Sequence, residues 1–193
     1  LKQAGGLRAG GPSESAFSPP VVAYGSRDTA AAGIIGPVDA ALAYAHFFSV
    51  VALAALLALA YSRCGDDVEP RDVILLARID LASVTALASC ILTGSARAWA
   101  GSTAPVFYTA NPVFWQGLAL LTAIAIVHTV PGRQIRSWRR ALARGSGRVL
   151  SGVELVRVRR VIAFELVLLA AAAVAGVLAG RGVGLPVRPS GDV

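Results

Sequence analysis

Apolar residues are gathered along this chain into four long blocks, each followed by a short stretch dense in charge, glycine or proline. The blocks run from about Val38 to Tyr61, Val73 to Leu92, Pro112 to Val130 and Val161 to Ala179. Each approaches the roughly 20 residues that a helix needs to cross a bilayer. Lipid offers the backbone no hydrogen-bond partners, so such a block must satisfy itself as a helix. With short connections the helices alternate in direction. The pattern predicts an all-α integral membrane four-helix bundle, up-down-up-down.

The breaks set the boundaries. Residues 1–36 form a Gly/Pro/Ser-rich N-terminal tail, with Gly5-Gly6, Gly10-Gly11-Pro12 and Pro19-Pro20 opposing regular structure. No apolar stretch after Lys2 could serve as the core of a signal peptide. Residues 37–185 are the transmembrane domain and 186–193 a C-terminal tail. Pro37 and Asp39 fit entry into the first span, and Glu69, Pro70 and Asp72 the start of the second. Asn111-Pro112 reads as the cap and first residue of the third. Pro131-Gly132 is expected to end or kink that helix, and Gly180, Gly182 and Gly184 to end the fourth.

Between the third and fourth spans lie Arg133, Arg136, Arg139, Arg140 and Arg144, beside an apolar stripe of Ile135, Trp138 and Leu142. That spacing predicts a basic amphipathic segment lying on anionic lipid headgroups. Composition agrees: 55% of residues are hydrophobic and the mean hydropathy is +0.65, too apolar for an ordinary soluble domain. The net charge of +7 sits largely in this one loop, so it points to membrane orientation and not to nucleic acid. By the positive-inside rule the arginine-rich side is cytoplasmic and both termini lie outside. Trp99, Tyr108, Trp115 and Trp138 are placed to form interfacial belts. Cys64 and Cys90 have no disulfide or zinc spacing.

Charge inside the spans is the remaining signal. An ionisable residue at mid-membrane costs about 2.5–3.5 kcal/mol on insertion scales, so it normally has a partner in the bundle. Arg78, Asp80, His128 and Glu165 fall at similar depth near the arginine-rich face and are expected to form one buried polar cluster, with Arg78 paired to Glu165. The cluster is one-sided, so it reads as a clasp holding helix register rather than a pathway. His46 lies near mid-membrane, where a neutral imidazole either hydrogen-bonds a serine or carbonyl on a neighbouring helix or serves as the single protein ligand of a tetrapyrrole metal. His128 is about 12 Å from it along the bundle, too far for the two to flank one iron.

The ordered motifs Tyr44-Ala-His46-Phe-Phe, Leu76-Ala-Arg78-Ile-Asp80, Tyr108-Thr-Ala-Asn111-Pro112-Val-Phe114-Trp115, Trp138-Arg139-Arg140-Ala-Leu142 and Arg160-Val-Ile-Ala-Phe-Glu165 resemble an uncharacterised bacterial family of four-helix membrane proteins. That family is distantly similar to the copper-resistance-protein-D-like superfamily, which includes haem-dependent protoporphyrinogen oxidases. The resemblance implies a bacterial inner membrane location and makes His46 the counterpart of a haem ligand. The oxidases' third-helix lysine has no counterpart, since Gln116 and Gly117 stand at that level. The expected function is therefore a non-catalytic subunit or scaffold working with other membrane subunits. His46 is its candidate ligand for a haem b or chlorophyll-type tetrapyrrole, and the isolated chain is expected to purify without pigment. The alternative is a haem-linked redox enzyme resembling protoporphyrinogen oxidase.

Overall fold

A computed structural model describes residues 29–65, 68–100, 105–145 and 152–185. The Gly/Pro/Ser-rich stretch 1–28, Asp66, Asp67, Gly147, Arg148 and the C-terminal tail 186–193 lie outside the described residues. The described elements are α1 (Thr29–Arg63), α2 (Pro70–Ala100), α3 (Pro105–Thr109), α4 (Pro112–Ala143) and α5 (Gly152–Gly180). Four of them are long and apolar enough to cross a membrane, and the short α3 lies between α2 and α4. The protein is a multi-pass membrane protein built as an all-α four-helix bundle. Helix α1 packs most extensively on α2 and α4 on α5, while α2–α4 and α1–α5 contacts close the ring.

A heptad-like seam explains this packing. On α5 the buried positions Leu155, Val158, Ile162, Glu165, Leu169 and Ala172 alternate steps of three and four. Val73, Leu76, Asp80, Ser83, Leu87 and Cys90 do the same on α2. Such spacing keeps one stripe facing the neighbouring helices. Residues off the stripe, such as Phe47, Phe48, Leu81, Leu92 and Val167, are exposed and form the apolar outer surface expected against lipid.

Three features differ from the sequence expectation. Helix α1 begins at Thr29, which places Pro37 inside it. Helix α4 continues unbroken through Pro131 for 32 residues, about 48 Å, so it outruns the roughly 30 Å hydrocarbon core. There is no separate amphipathic segment in the interface over residues 133–143. The stripe that suggested one, Ile135 and Trp138, continues the seam from Ile124, His128 and Pro131. Trp138 is accordingly only 2% exposed, a core residue and not a belt residue. Arg133, Arg139, Arg140 and Arg144 stay exposed on the outer face of this extension.

Helix ends near the opposite face are well defined. Asn111 caps α4, its side-chain oxygen accepting from Val113 N–H at 2.9 Å, with Pro112 as first residue. At the end of α5, Gly182 N–H donates to Ala179 O and Val183 N–H to Leu178 O, with Gly182 at φ +76°. That is a Schellman turn, which needs the left-handed conformation glycine adopts freely. The two ends meet: Asn111 Nδ2 donates to Ala179 O at 3.4 Å.

Candidate functional site

Two polar constellations lie inside the bundle, at different depths. The first is near the arginine-rich end, where α2, α4 and α5 bring Asp80, His128 and Glu165 together as sequence reasoning anticipated. All three are buried, Glu165 completely. His128 Nδ1–H donates to Glu165 Oε2 at 3.0 Å. His128 Nε2 stands 3.5 Å from Asp80 Oδ1, close enough for attraction but without a hydrogen bond. Asp80 Oδ2 accepts from Arg136 Nη1 at 3.1 Å.

Arg78 is not part of this cluster. It is exposed, and among the described residues no ion pair joins it to Glu165. The reason is periodicity: Asp80 lies on the seam of α2, and a residue two positions away points elsewhere. Its expected place is taken by Arg136, which was assigned to lipid headgroups. Arg136 reaches Asp80 across Gly132, one turn before it on α4. A Cβ at Gly132 would lie 2.7 Å from Asp80 Oδ1 and 3.1 Å from Arg136 Nη1. Gly132 is thus the notch in which carboxylate and guanidinium meet. The alternating steps of three and four could have flagged Arg78 as outward-facing. Nothing comparable in the sequence marks Arg136.

The second constellation surrounds His46 in the other half of the bundle. His46 Nδ1 lies 3.0 Å from the Cys90 carbonyl oxygen and 3.3 Å from Thr93 Oγ1. A carbonyl only accepts, so Nδ1 carries the proton and, in the neutral ring, Nε2 holds the free lone pair. The ring edge rests on Gly94, where a Cβ would come within 3.0 Å of Cε1. One helical turn away along α1, Ser49 donates to Ser89 Oγ at 2.9 Å and tightens the same interface. Asp80 and Cys90, the α2 partners of the two histidines, are ten residues apart, about 15 Å along the axis. One metal cannot bridge His46 and His128.

His46 borders a cavity of about 290 Å³. Gly94, Gly117, Leu121, Ala172 and Gly176 make much of its wall apolar, and α3 contributes Tyr108 to the lining. Trp99 and Trp115, also among the lining residues, are 68% and 50% exposed. Trp115 Nε1–H donates to Thr109 O at 2.9 Å, tying α3 to α4. Arg97 also lines the cavity, its Nε 3.7 Å from Asp39 Oδ1. Gly117 presents no side chain to the space, and Gln116 is exposed.

The cavity is apolar with one imidazole and one guanidinium at its edge. It can hold a flat hydrophobic molecule carrying an anionic substituent, with Nε2 as a ligand or acceptor. The cluster near the arginine-rich end can hold charge and fix register, but it does not extend to the far face. Compared with known proteins, residues 38–184 match the model of a family described as "Predicted membrane protein (DUF2214)". No curated protein and no solved structure matches. Nothing in these comparisons extends the family to the copper-resistance-protein-D-like or oxidase superfamily.

Proposed function

The chain belongs to the predicted membrane protein family DUF2214, and from that premise we propose that it is a non-catalytic integral membrane subunit whose His46 cavity takes a tetrapyrrole of the haem b or chlorophyll type. The observation that carries this reading is the state of His46. Its Nδ1–H is fixed on the Cys90 carbonyl at 3.0 Å, which orients the ring, sets the tautomer and leaves Nε2 for a metal. At about 290 Å³ the cavity lies near the lower end of small-molecule sites, roughly 300–1,000 Å³. His46 would hold the metal, and Trp99, Tyr108 and Trp115 among the lining residues would pack against the macrocycle. Arg97 is placed to meet a carboxylate substituent. When bound, a chlorophyll-type macrocycle would supply light absorption or a haem iron one-electron chemistry, and the residues here would position it and exclude water.

His46 is the one histidine among the cavity's lining residues, so any further ligand would come from a neighbouring subunit, which supports the subunit reading over a free-standing enzyme. The arginine-rich end, with Arg133, Arg139, Arg140 and Arg144 exposed, suits anionic headgroups of the cytoplasmic leaflet. The inner bacterial membrane, with both termini outside, is part of the same proposal.

The test is an absorption spectrum of the protein extracted from its native membrane in mild detergent, compared with His46→Ala and His128→Ala. Pigment retained in the assembly, lost with His46→Ala and kept with His128→Ala, is expected. Pigment unaffected by His46→Ala, or a native assembly without pigment that also fails to take up added haem, overturns the proposal. A His46-dependent Soret band with oxidase turnover in the isolated chain would replace the subunit reading by the haem enzyme.

A further inference from the structure

The cluster near the arginine-rich end leaves several buried polar atoms without protein partners, and three of the residues concerned border one small cavity. Ser83, on the α2 seam and 1% exposed, makes no hydrogen bond through Oγ. Neither Asp80 Oδ1 nor His128 Nε2 makes one. Asp80, Ser83 and His128 line a cavity of about 10 Å³, walled otherwise by Leu57, Leu76, Ile135 and Ile162 among others. Buried polar atoms are rarely left unpaired, and each one so left is costly. A cavity of roughly 10–15 Å³ with two to four polar partners is what one water molecule needs.

We propose that this cavity is a binding site for a single water molecule that completes the Asp80–His128–Glu165 cluster. The hydrogen-bond inventory balances. His128 lies between two carboxylates: Nδ1–H is used on Glu165, and Nε2–H of the protonated ring donates to the water oxygen. Asp80 Oδ1, whose carboxylate partner Oδ2 is held by Arg136, accepts a water proton. Ser83 O–H then donates to the water oxygen. The water converts a 3.5 Å gap between His128 Nε2 and Asp80 Oδ1 into a bridge. It joins Glu165, His128, Asp80 and Arg136 into one hydrogen-bonded chain from the centre of α5 to a half-exposed guanidinium. The charged and titratable groups of the site come from α2, α4 and α5; α1 contributes Leu57 and Ala60 to the cavity wall.

The sign of a single substitution tests this. If Ser83 Oγ is an orphan, Ser83→Ala removes a liability and raises the unfolding midpoint or leaves it unchanged. If it holds water, the same change strips that water of a donor and lowers the midpoint, by about 2–4 °C for a loss near the size of one hydrogen bond. A lowered midpoint in detergent is expected; an unchanged or raised one overturns the proposal. An independent check is a density map that shows ordered solvent. A peak within about 2.6–3.2 Å of Ser83 Oγ, Asp80 Oδ1 and His128 Nε2 is expected. A map with other internal waters and none here overturns it.

Discussion

Gly132→Ala adds one methyl group at the tightest contact in the bundle. Its Cβ would lie 2.7 Å from Asp80 Oδ1, whereas ordinary contacts begin at 3.4 Å, so something must move by several tenths of an ångström. The aspartate side chain is short, 6% exposed and held at its other oxygen by Arg136 at 3.1 Å. It cannot swing aside without giving up that bond. A charge-assisted hydrogen bond contributes about 1.5–3 kcal/mol, and the half-exposed guanidinium places this one at the low end. If α4 shifts instead, overpacking costs about 1–3 kcal/mol. Alanine's better helix propensity returns at most about 1 kcal/mol. The net expectation is a loss of about 1–2 kcal/mol, read from reversible unfolding by denaturing detergent in mixed micelles with tryptophan fluorescence as probe. The cycle with Asp80→Ala isolates the cause: without the carboxylate, Gly132→Ala should be neutral or stabilising. A Gly132→Ala variant as stable as the parent, or equally damaging in the Asp80→Ala background, would refute the notch.

The remaining predictions use other parts of the molecule. A reporter fused after Val193 should report an extracytoplasmic position and one inserted at Gly145 a cytoplasmic one; the reverse pattern would invert the orientation. Arg136→Ala should cost about 1 kcal/mol or somewhat more, while Arg78→Ala, an exposed change, should stay within about 0.5 kcal/mol. The opposite ranking in the same micelle titration would restore Arg78 to the cluster. Cys64, just beyond the first span, is buried, and burial pushes its thiol up from its ordinary value near 9 to about 11, opposed by the Arg159 guanidinium. The folded state keeps the thiol neutral, so its contribution to stability is fully present below pH 9 and is lost as pH rises towards 11. Iodoacetamide should therefore label Cys64 slowly in the folded protein at pH 8 and rapidly once it is unfolded; equal rates would show an accessible thiolate.

Much of the fold was legible because the bilayer imposes a simple rule. Apolar blocks of sufficient length must be helices, and Asn111-Pro112 and the glycines after Ala179 carry their own local reasons to start and stop one. Asp80, His128 and Glu165 were also legible as a group, since depth alone brings them together. What failed was rotation about the helix axis. Depth could not distinguish Arg78 from Asp80, although the seam does. Pro131 does not end its helix: the residue is buried on the seam, where neighbouring helices hold α4 together past the missing N–H. The stripe of Ile135 and Trp138 was seen correctly as amphipathic but given the wrong partner. An apolar stripe has the same sequence signature whether it faces lipid or another helix.

In lipid no hydrophobic force draws one apolar helix to the next, so close packing and hydrogen bonds must set the register. Here the same device appears at three successive interfaces. His46 of α1 rests on Gly94 of α2, Asp80 of α2 on Gly132 of α4, and Asn111 before α4 on Gly184 after α5. At each glycine a Cβ would come within 3.0 Å of a neighbouring atom, so sliding one helix by a turn would drive a side chain into the polar residue opposite. The seats lie at different depths, which fixes translation and tilt together in one frame. Within that frame Asp80 is engaged by Arg136 and Asn111 by Val113 N–H and Ala179 O. His46 is engaged through Nδ1, and its side chain belongs to a residue lining the cavity of about 290 Å³. An imidazole with one side spent on orientation and the other without a protein partner among the described residues is the physical basis of the proposal that His46 takes a ligand.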